Sequence, residues 1–316
     1  MVADLTGAAD SGETRIALTG ATGFVGRAVL QEISAGLEVT ALARRVPDDA
    51  PAAGVRFVQG DLADRTALAA LTERADAVIH VAGLTRTLDP AAFEDANVLG
   101  TQTLIEAARA SGVRRFVFVS SLAAREPGLS AYGASKRRAE VLVQASGLDW
   151  TIVRPPAVYG PRDGEMFELF QAAARFGVVP LPPPGRASLI HVDDLARLLL
   201  VLAGGGASGA VLEPDDGRPG GYSHAEMARM IGRAVGRPKV LAPHMPAPLL
   251  RLGAKADTFL RGGKAKLTPD RASYMAHPNW VVRNDHRPPS ELWRPAIAAE
   301  EGMARTAAWY RTAGWL

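Results

Sequence analysis

Six short apolar runs, at residues 15–19, 38–42, 55–59, 77–81, 115–120 and 150–154, alternate with helix-like stretches at 25–35, 64–71, 93–110 and 131–145. Few architectures accept this order. Strands that are apolar along their whole length need cover on both faces, and helices of ten or more residues between them supply it. The alternation therefore predicts an α/β fold built on a doubly wound parallel sheet. The chain of 316 residues exceeds one such core, so a smaller appended lobe is expected. Past Arg154 the character changes: Pro155-Pro156, Pro161 and the run Pro180-Leu-Pro-Pro-Pro184 interrupt regular structure. A strand-like stretch at 188–192 and a helix at 193–202 follow. Ser223 with Glu226 reads as a capping box that starts a further helix.

The junction after the first run is Thr19-Gly-Ala-Thr-Gly-Phe-Val-Gly26. Gly20 permits a tight strand-to-helix turn, Gly23 lets backbone approach a pyrophosphate, and Gly26 lets the helix pack closely on the strand. Thr22, Phe24 and Val25 complete a cradle in which the helix start aims free N–H groups at phosphate. No Gly-Lys-Ser/Thr follows, which argues against a nucleoside-triphosphate loop. A site for NAD usually ends its second strand with an acid for the ribose 2′-hydroxyl. Here Ala43 holds that position, followed by Arg44 and Arg45, whose guanidinium groups suit a 2′-phosphate; NADP is favoured over NAD. Asp61, in Gly60-Asp-Leu62, either accepts from an adenine amino group or caps the next helix.

Tyr132-Gly-Ala-Ser-Lys136 sets a phenol and an ammonium one helical turn apart, on one face. A nearby cation favours the phenolate and would bring the tyrosine toward the working range, although the same spacing also occurs on ordinary solvated helices. Other chemistries are excluded or unsupported. The chain has no cysteine, so disulfides, thiol nucleophiles and thiolate metal sites are ruled out, and a cytoplasmic location fits. Six scattered histidines show no ligand spacing, and no metal is expected. The segment 195–212 is broken by Arg197 and three glycines, which argues against a membrane span. Residues 1–14 lack the order of a signal peptide and read as a flexible tail. The net charge of +3 is uneven: residues 231–271 hold nine Lys/Arg against two Asp, a local +7 that leaves −4 elsewhere. That segment suits an anionic substrate, peripheral contact with an anionic membrane, or only solvent. No nucleic-acid partner is expected.

With these residues in order, the chain resembles the extended short-chain dehydrogenase/reductase family. The glycine pattern, Gly60-Asp61-Leu62, His80-Val81-Ala82-Gly83, Asn97, Ser120-Ser121, Tyr132/Lys136, the run from Arg154 to Gly160 and His191-Val-Asp-Asp-Leu-Ala196 match its motifs from about residue 15 to the end. The resemblance implies a Rossmann domain at 15–160 plus 188–204, and a substrate lobe at 161–187 plus 205–316. It implies that Ser121 polarises the substrate oxygen, with Ser120 as fallback, and that Tyr132 exchanges the proton. Lys136 would hold the nicotinamide ribose and depress the tyrosine, and Asn97 would support the helix and a water leading to Lys136. Leu62, Val81, Ala82 and Gly83 would line the cofactor, with Pro155 and Val158 along the nicotinamide. His80 and His191 read as structural.

Leu122-Ala123 replaces the Asp-Glu pair that family dehydratases carry, so water elimination is not expected. The residues from Met245 to Leu260 mix Leu, Met and Phe with Arg251 and Lys255, as in a lipid-touching surface helix or an amphipathic cap on the lobe. The expectation is NADP(H)-dependent hydride transfer to or from a ketone or alcohol on an apolar, sterol-like or long-chain 3-oxo substrate. The alternatives are a sugar-nucleotide epimerase with bound NAD, and a non-catalytic NADPH-binding subunit resembling the accessory subunit of respiratory complex I. Family members often pair as homodimers through a four-helix interface.

Overall fold

The computed structural model describes residues 14–48 and 53–316. The expected tail therefore lies outside the described residues, except for Thr14, which opens the first strand. In chain order the first half comprises β1 (Thr14–Thr19), α1 (Phe24–Gln31), β2 (Leu37–Ala43), β3 (Val55–Gln59), α2 (Arg65–Thr72), β4 (Ala77–His80), α3 (Pro90–Phe93), a π-helical turn (Glu94–Leu99), α4 (Gly100–Ala110), β5 (Arg115–Val119), α5 (Ala131–Gln144) and β6 (Asp149–Val153). The second half adds β7 (Ala157–Tyr159), α6 (Phe167–Phe176), β8 (Arg186–Ala187), β9 (Leu189–His191), α7 (Val192–Ala203), β10 (Ala210–Leu212), β11 (Tyr222–Ser223), α8 (His224–Ala234), α9 (Ala247–Arg261), α10 (Pro269–Met275), β12 (Asn279–Trp280) and α11 (Ala299–Thr312).

Seven strands form one sheet in the order β10-β6-β5-β4-β1-β2-β3, parallel throughout. Alternate residues supply its two faces. Ile16, Leu18, Val117 and Val119 pack with Leu195, Leu198, Leu199 and Leu202 of α7 and with α1. Ala17, Phe116 and Phe118 pack with α2, α4 and α5 through Leu68, Leu71, Leu104, Ala139 and Val143. The chain reverses its direction of winding between β1 and β4, whose ends are level where Thr19 pairs His80. Such a switch point leaves a crevice at the strands' carboxyl ends.

The expected strands appear within one or two residues of their predicted bounds, but two assignments differ. Ala210–Leu212, expected in the lobe, pairs with β6 and forms the sheet's edge. Three residues after a glycine-rich turn are too few to show a strand period. The 188–192 stretch does form a strand, yet it pairs with β7 rather than joining the main sheet. The remaining elements build a lobe with its own core of Tyr159, Phe170, Tyr222, Ile231, Met303 and Tyr310. Among the described residues no helix is long and apolar enough to cross a membrane.

Candidate functional site

The turn from β1 into α1 is shaped as a cradle. Gly20 has φ +75°, and a Cβ there would stand 2.7 Å from the Ala82 nitrogen. A Cβ on Gly26 would meet the Gly20 oxygen at 2.1 Å, so helix and turn touch backbone to backbone. The α1 N-cap is Gly23, with no side-chain cap and no acidic residue in the first turn. The helix thus presents open N–H groups and a positive end, which fits a pyrophosphate. Thr22 is exposed at the tip, while Phe24 and Val25 pack on the core. Across the crevice the Val81 and Ala82 amides donate to Thr19, at 3.3 and 3.2 Å, which fixes the loop leading to Gly83.

Arg44 and Arg45 are exposed just past the end of β2, and among the described residues neither forms an ion pair. Asp61 is exposed and accepts from the Ala63 amide at 2.9 Å. Asp64, not Asp61, caps α2, accepting from Ala67 at 3.0 Å, so the capping alternative for Asp61 falls to its neighbour. Leu62 is partly buried against the α2–α4 core. Pro155 is buried and its carbonyl accepts from the Leu122 amide at 3.0 Å; Val158 is half-buried in β7.

Tyr132 sits in the first turn of α5, which Ser130 caps by accepting from Gly133 at 2.9 Å. Its ring lies 5.9 Å from Phe93 and 6.2 Å from Tyr274 of the lobe. Burial pushes the phenol well above its ordinary pKa, against the opposing effect of the Ser121 hydroxyl beside it; the Tyr274 and Glu165 groups push it further up. This corrects the expected depression by Lys136, which is not among the influences on the phenol. The amine is turned inward: Nζ donates to the Val119 carbonyl at 2.8 Å and stands 4.8 Å from the Phe118 ring. Burial lowers Lys136 to about 8, partly offset by Glu140.

Asn97 projects from the π-helical turn, a distortion that often marks functional sites. Its Oδ1 accepts from the Leu84 amide at 2.7 Å, and its Nδ2 donates to the Leu84 carbonyl at 3.0 Å and the Ser135 hydroxyl at 2.9 Å. Ser135 in turn donates to the Tyr132 carbonyl at 2.8 Å. Asn97 thereby pins the loop after β4 to α5. A Cβ on Gly83 would lie 2.9 Å from Asn97 Oδ1 and 3.3 Å from Lys136 Nζ, so both groups border that loop.

The two serines separate by role. Ser120 is buried and donates to Glu140 at 2.6 Å, which removes it as a fallback oxygen ligand. Ser121 accepts from the Ala123 amide at 3.2 Å and keeps its own proton to donate. His80 is fully buried between the Thr19 and Thr101 hydroxyls, at 2.7 and 2.9 Å, and burial lowers it to about 3. His191 caps α7 through the Asp193 amide. Both histidines are structural.

Sequence reasoning missed the lobe's contribution. Asp270, at the start of α10, accepts from the Ala131 amide at 2.6 Å and the Tyr132 amide at 3.4 Å, so it tethers the N-terminus of α5 from 138 residues away. No local pattern announces such a contact. Beside it a cavity of about 330 Å³ is lined by Thr87, Leu88, Pro90, Phe93, Ala131, Thr258, Thr268, Pro269 and Asp270. Ala131 and Phe93 are the two neighbours of Tyr132 on that side.

Sequence and fold also match known proteins. The model of the NAD dependent epimerase/dehydratase family matches residues 16–212. A ceramide reductase of Caulobacter vibrioides is 38% identical, over 95% of this chain and 96% of that protein. A 2-alkyl-3-oxoalkanoate reductase of Stenotrophomonas maltophilia is 29% identical, over 92% and 98%. The solved UDP-glucose 4-epimerase of Thermotoga maritima superimposes with a TM-score of 0.71 at 20% identity, over 95% and 99%, a likeness of fold. The chain belongs to the NAD dependent epimerase/dehydratase family, in its extended short-chain dehydrogenase/reductase type.

Proposed function

We propose that the protein is an NADP(H)-dependent ketone reductase acting on a long-chain 3-oxo lipid, of ceramide-like or 3-oxoacyl type. The observation that carries this reading is the half-buried Ser121 hydroxyl beside the buried Tyr132 phenol, next to a cavity whose walls are mainly apolar, Leu88, Pro90, Phe93, Ala131 and Pro269 with Thr87, Thr258, Thr268 and Asp270. Such walls suit an alkyl chain better than a charged sugar nucleotide. The names of the ceramide and 3-oxoalkanoate reductases support the same class. Arg44 and Arg45, in place of an acid, support the phosphorylated cofactor.

A reduced nicotinamide, when bound, supplies the hydride. The side chains do the rest. Ser121 holds the substrate oxygen by donating to it, so the charge that develops there meets a fixed hydroxyl. Tyr132, kept neutral by burial, transfers its Oη proton to that oxygen and is reprotonated from solvent. The net change is ketone to secondary alcohol, with one hydride and one proton taken up. Lys136 and Asn97 border the Gly83 loop, where they can orient a ribose.

The test is the consumption of NADPH with long-chain 3-oxo compounds, set beside UDP-glucose. Activity on the first alone is expected. Epimerisation of the sugar nucleotide by protein that copurifies with NAD would overturn the reading, as would NADPH binding with no turnover of any ketone. In the same preparation, Arg44→Ala with Arg45→Ala should weaken NADPH binding about tenfold or more, one charge-assisted hydrogen bond to phosphate being worth roughly 1.5–3 kcal/mol, and leave NADH binding unchanged. Equal loss for both cofactors would remove the NADP assignment.

A further inference from the structure

Helix α9 turns two unlike faces. Leu250 and Ala254 pack inward on Ala272 of α10, with Met245, Leu267 and Met275 around them. The opposite face carries Leu249, Leu252, Phe259 and Leu260, which are 56%, 62%, 88% and 79% exposed. At 3.6 residues per turn these four form one stripe. The inner face is thus the amphipathic cap on the lobe that the sequence offered as one alternative, and the outer face is left exposed. Four large apolar side chains left in water along about three turns mark an interaction surface.

Charge decides what covers it. Of the basic residues in this region, Arg233, Arg261, Lys266 and Arg271 are paired to Glu300, Asp257, Glu168 and Glu165. Arg251 and Lys255 are exposed on α9 beside the stripe and, among the described residues, form no ion pair. The carboxylate of Asp257 on the same helix is engaged by the Lys266 and Leu267 amides and by Arg261. The face is thus apolar with an uncompensated cationic flank. A second copy of this chain would bring cations against cations, whereas an anionic bilayer neutralises them and takes the stripe below its headgroups. The 330 Å³ cavity adds a reason for the location: Thr258 of α9 lines it, together with Leu88, which is 41% exposed.

We infer that α9 is a membrane-docking helix. Its outer face lies on an anionic lipid leaflet and seats the cavity mouth at the bilayer surface, where an apolar substrate can enter without crossing water. The docking surface is a property of the chain separate from its reaction, and its test reads no turnover.

The experiment is co-flotation of the full chain with phosphatidylcholine vesicles, with and without phosphatidylglycerol. Binding is expected only with the anionic lipid. Phe259→Ser with Leu260→Ser should abolish it while NADPH titration stays unchanged, which shows that the variant is folded. Arg251→Gln with Lys255→Gln, which leaves the apolar stripe intact, should weaken binding roughly 25-fold, about 1 kcal/mol per surface cation being a factor of about five each. Failure of the unmodified chain to float with anionic vesicles would overturn the inference, as would flotation indifferent to both variants. A lipid-free dimer that the serine variant converts to monomer would assign the face to a second copy instead.

Discussion

Glu140→Gln tests whether one buried carboxylate both holds the sheet to the lobe and sets the charge of Lys136. Glu140 is fully buried on α5, one turn beyond Lys136. It accepts from Ser120 at 2.6 Å and from Arg154 at 2.7 and 2.6 Å, with Arg137 at 3.2 Å. Arg154 has a second carboxylate, Glu213, at 3.8 Å. Glu213 lies 3.6 Å from Arg125, which donates to the Asn279 and Val281 carbonyls of the lobe at 2.9 Å each. Removing one partner of a buried pair outright costs about 3–5 kcal/mol. Glutamine keeps the shape and one acceptor oxygen, and Glu213 still faces Arg154, so about 2–3 kcal/mol is expected. At roughly 2–4 °C per kcal/mol, Tm should fall by about 4–12 °C.

The same substitution should move a pH profile. Burial lowers Lys136 to about 8 from 10.5, and Glu140 acts against that lowering. Without the carboxylate the amine must drop further, so the ammonium is lost at lower pH and the alkaline limb of NADPH affinity shifts toward acid. The stability linkage has the same direction. Between about 8 and 10.5 the unfolded chain binds more protons at this lysine than the folded chain, so its contribution to stability rises with pH across that window. In the variant the window opens lower. Thermal melts and NADPH titrations across pH read both effects. A variant with unchanged Tm and an unmoved limb would refute the coupling.

Two further outcomes follow from the site. Tyr132→Phe should lower kcat about 10²–10⁴-fold, the usual contribution of a positioned general acid, and leave NADPH binding nearly intact; full activity would remove the phenol from the chemistry. Asp270→Asn keeps an acceptor for the Ala131 amide but removes a negative charge at the positive end of α5, worth about 0.3–1 kcal/mol. It should therefore raise KM for the lipid ketone by a few-fold with NADPH affinity unchanged, and an equal change in both would place its effect elsewhere.

How legible each part was depended on the range of the contact that makes it. Strands such as Ala77–His80 and Arg115–Val119 are buried along their full length, so each reads as an unbroken apolar run. The Gly20–Gly26 spacing states its own steric reason, which the 2.1 Å approach at Gly26 makes concrete. Ala210–Leu212 is too short to carry a period, and its strand character comes from the β6 edge waiting for it. Asp270 reaches α5 only through the lobe's tertiary path, so nothing near Tyr132 in sequence could reveal it. The phenol's raised pKa is not legible in the sequence, because helical spacing places Lys136 on the right face but says nothing of burial, the largest cause. Likewise the +7 of residues 231–271 overstated the free charge, since several of its cations meet carboxylates from distant segments.

Burial of that phenol also bears on which of its two forms the site tolerates. Alcohol oxidation must begin from the phenolate, the form penalised by the apolar surroundings of Phe93, Ala123 and Leu84 and by the Tyr274 and Glu165 groups. Ketone reduction begins from the neutral phenol, the form those surroundings favour. Lys136 is the one cation on the same face of α5 that can redress the balance, yet its ammonium is spent on the Val119 carbonyl. Unless a bound ribose draws that amine away from Val119, the chain's own groups hold the proton on Tyr132, so the phenolate left by its donation needs a cation or prompt reprotonation to offset burial. The lobe thus reaches the phenol directly: Tyr274 packs against its ring and Asp270 fixes the backbone that carries it, so the state of the Tyr132 proton depends on how the lobe covers the cleft.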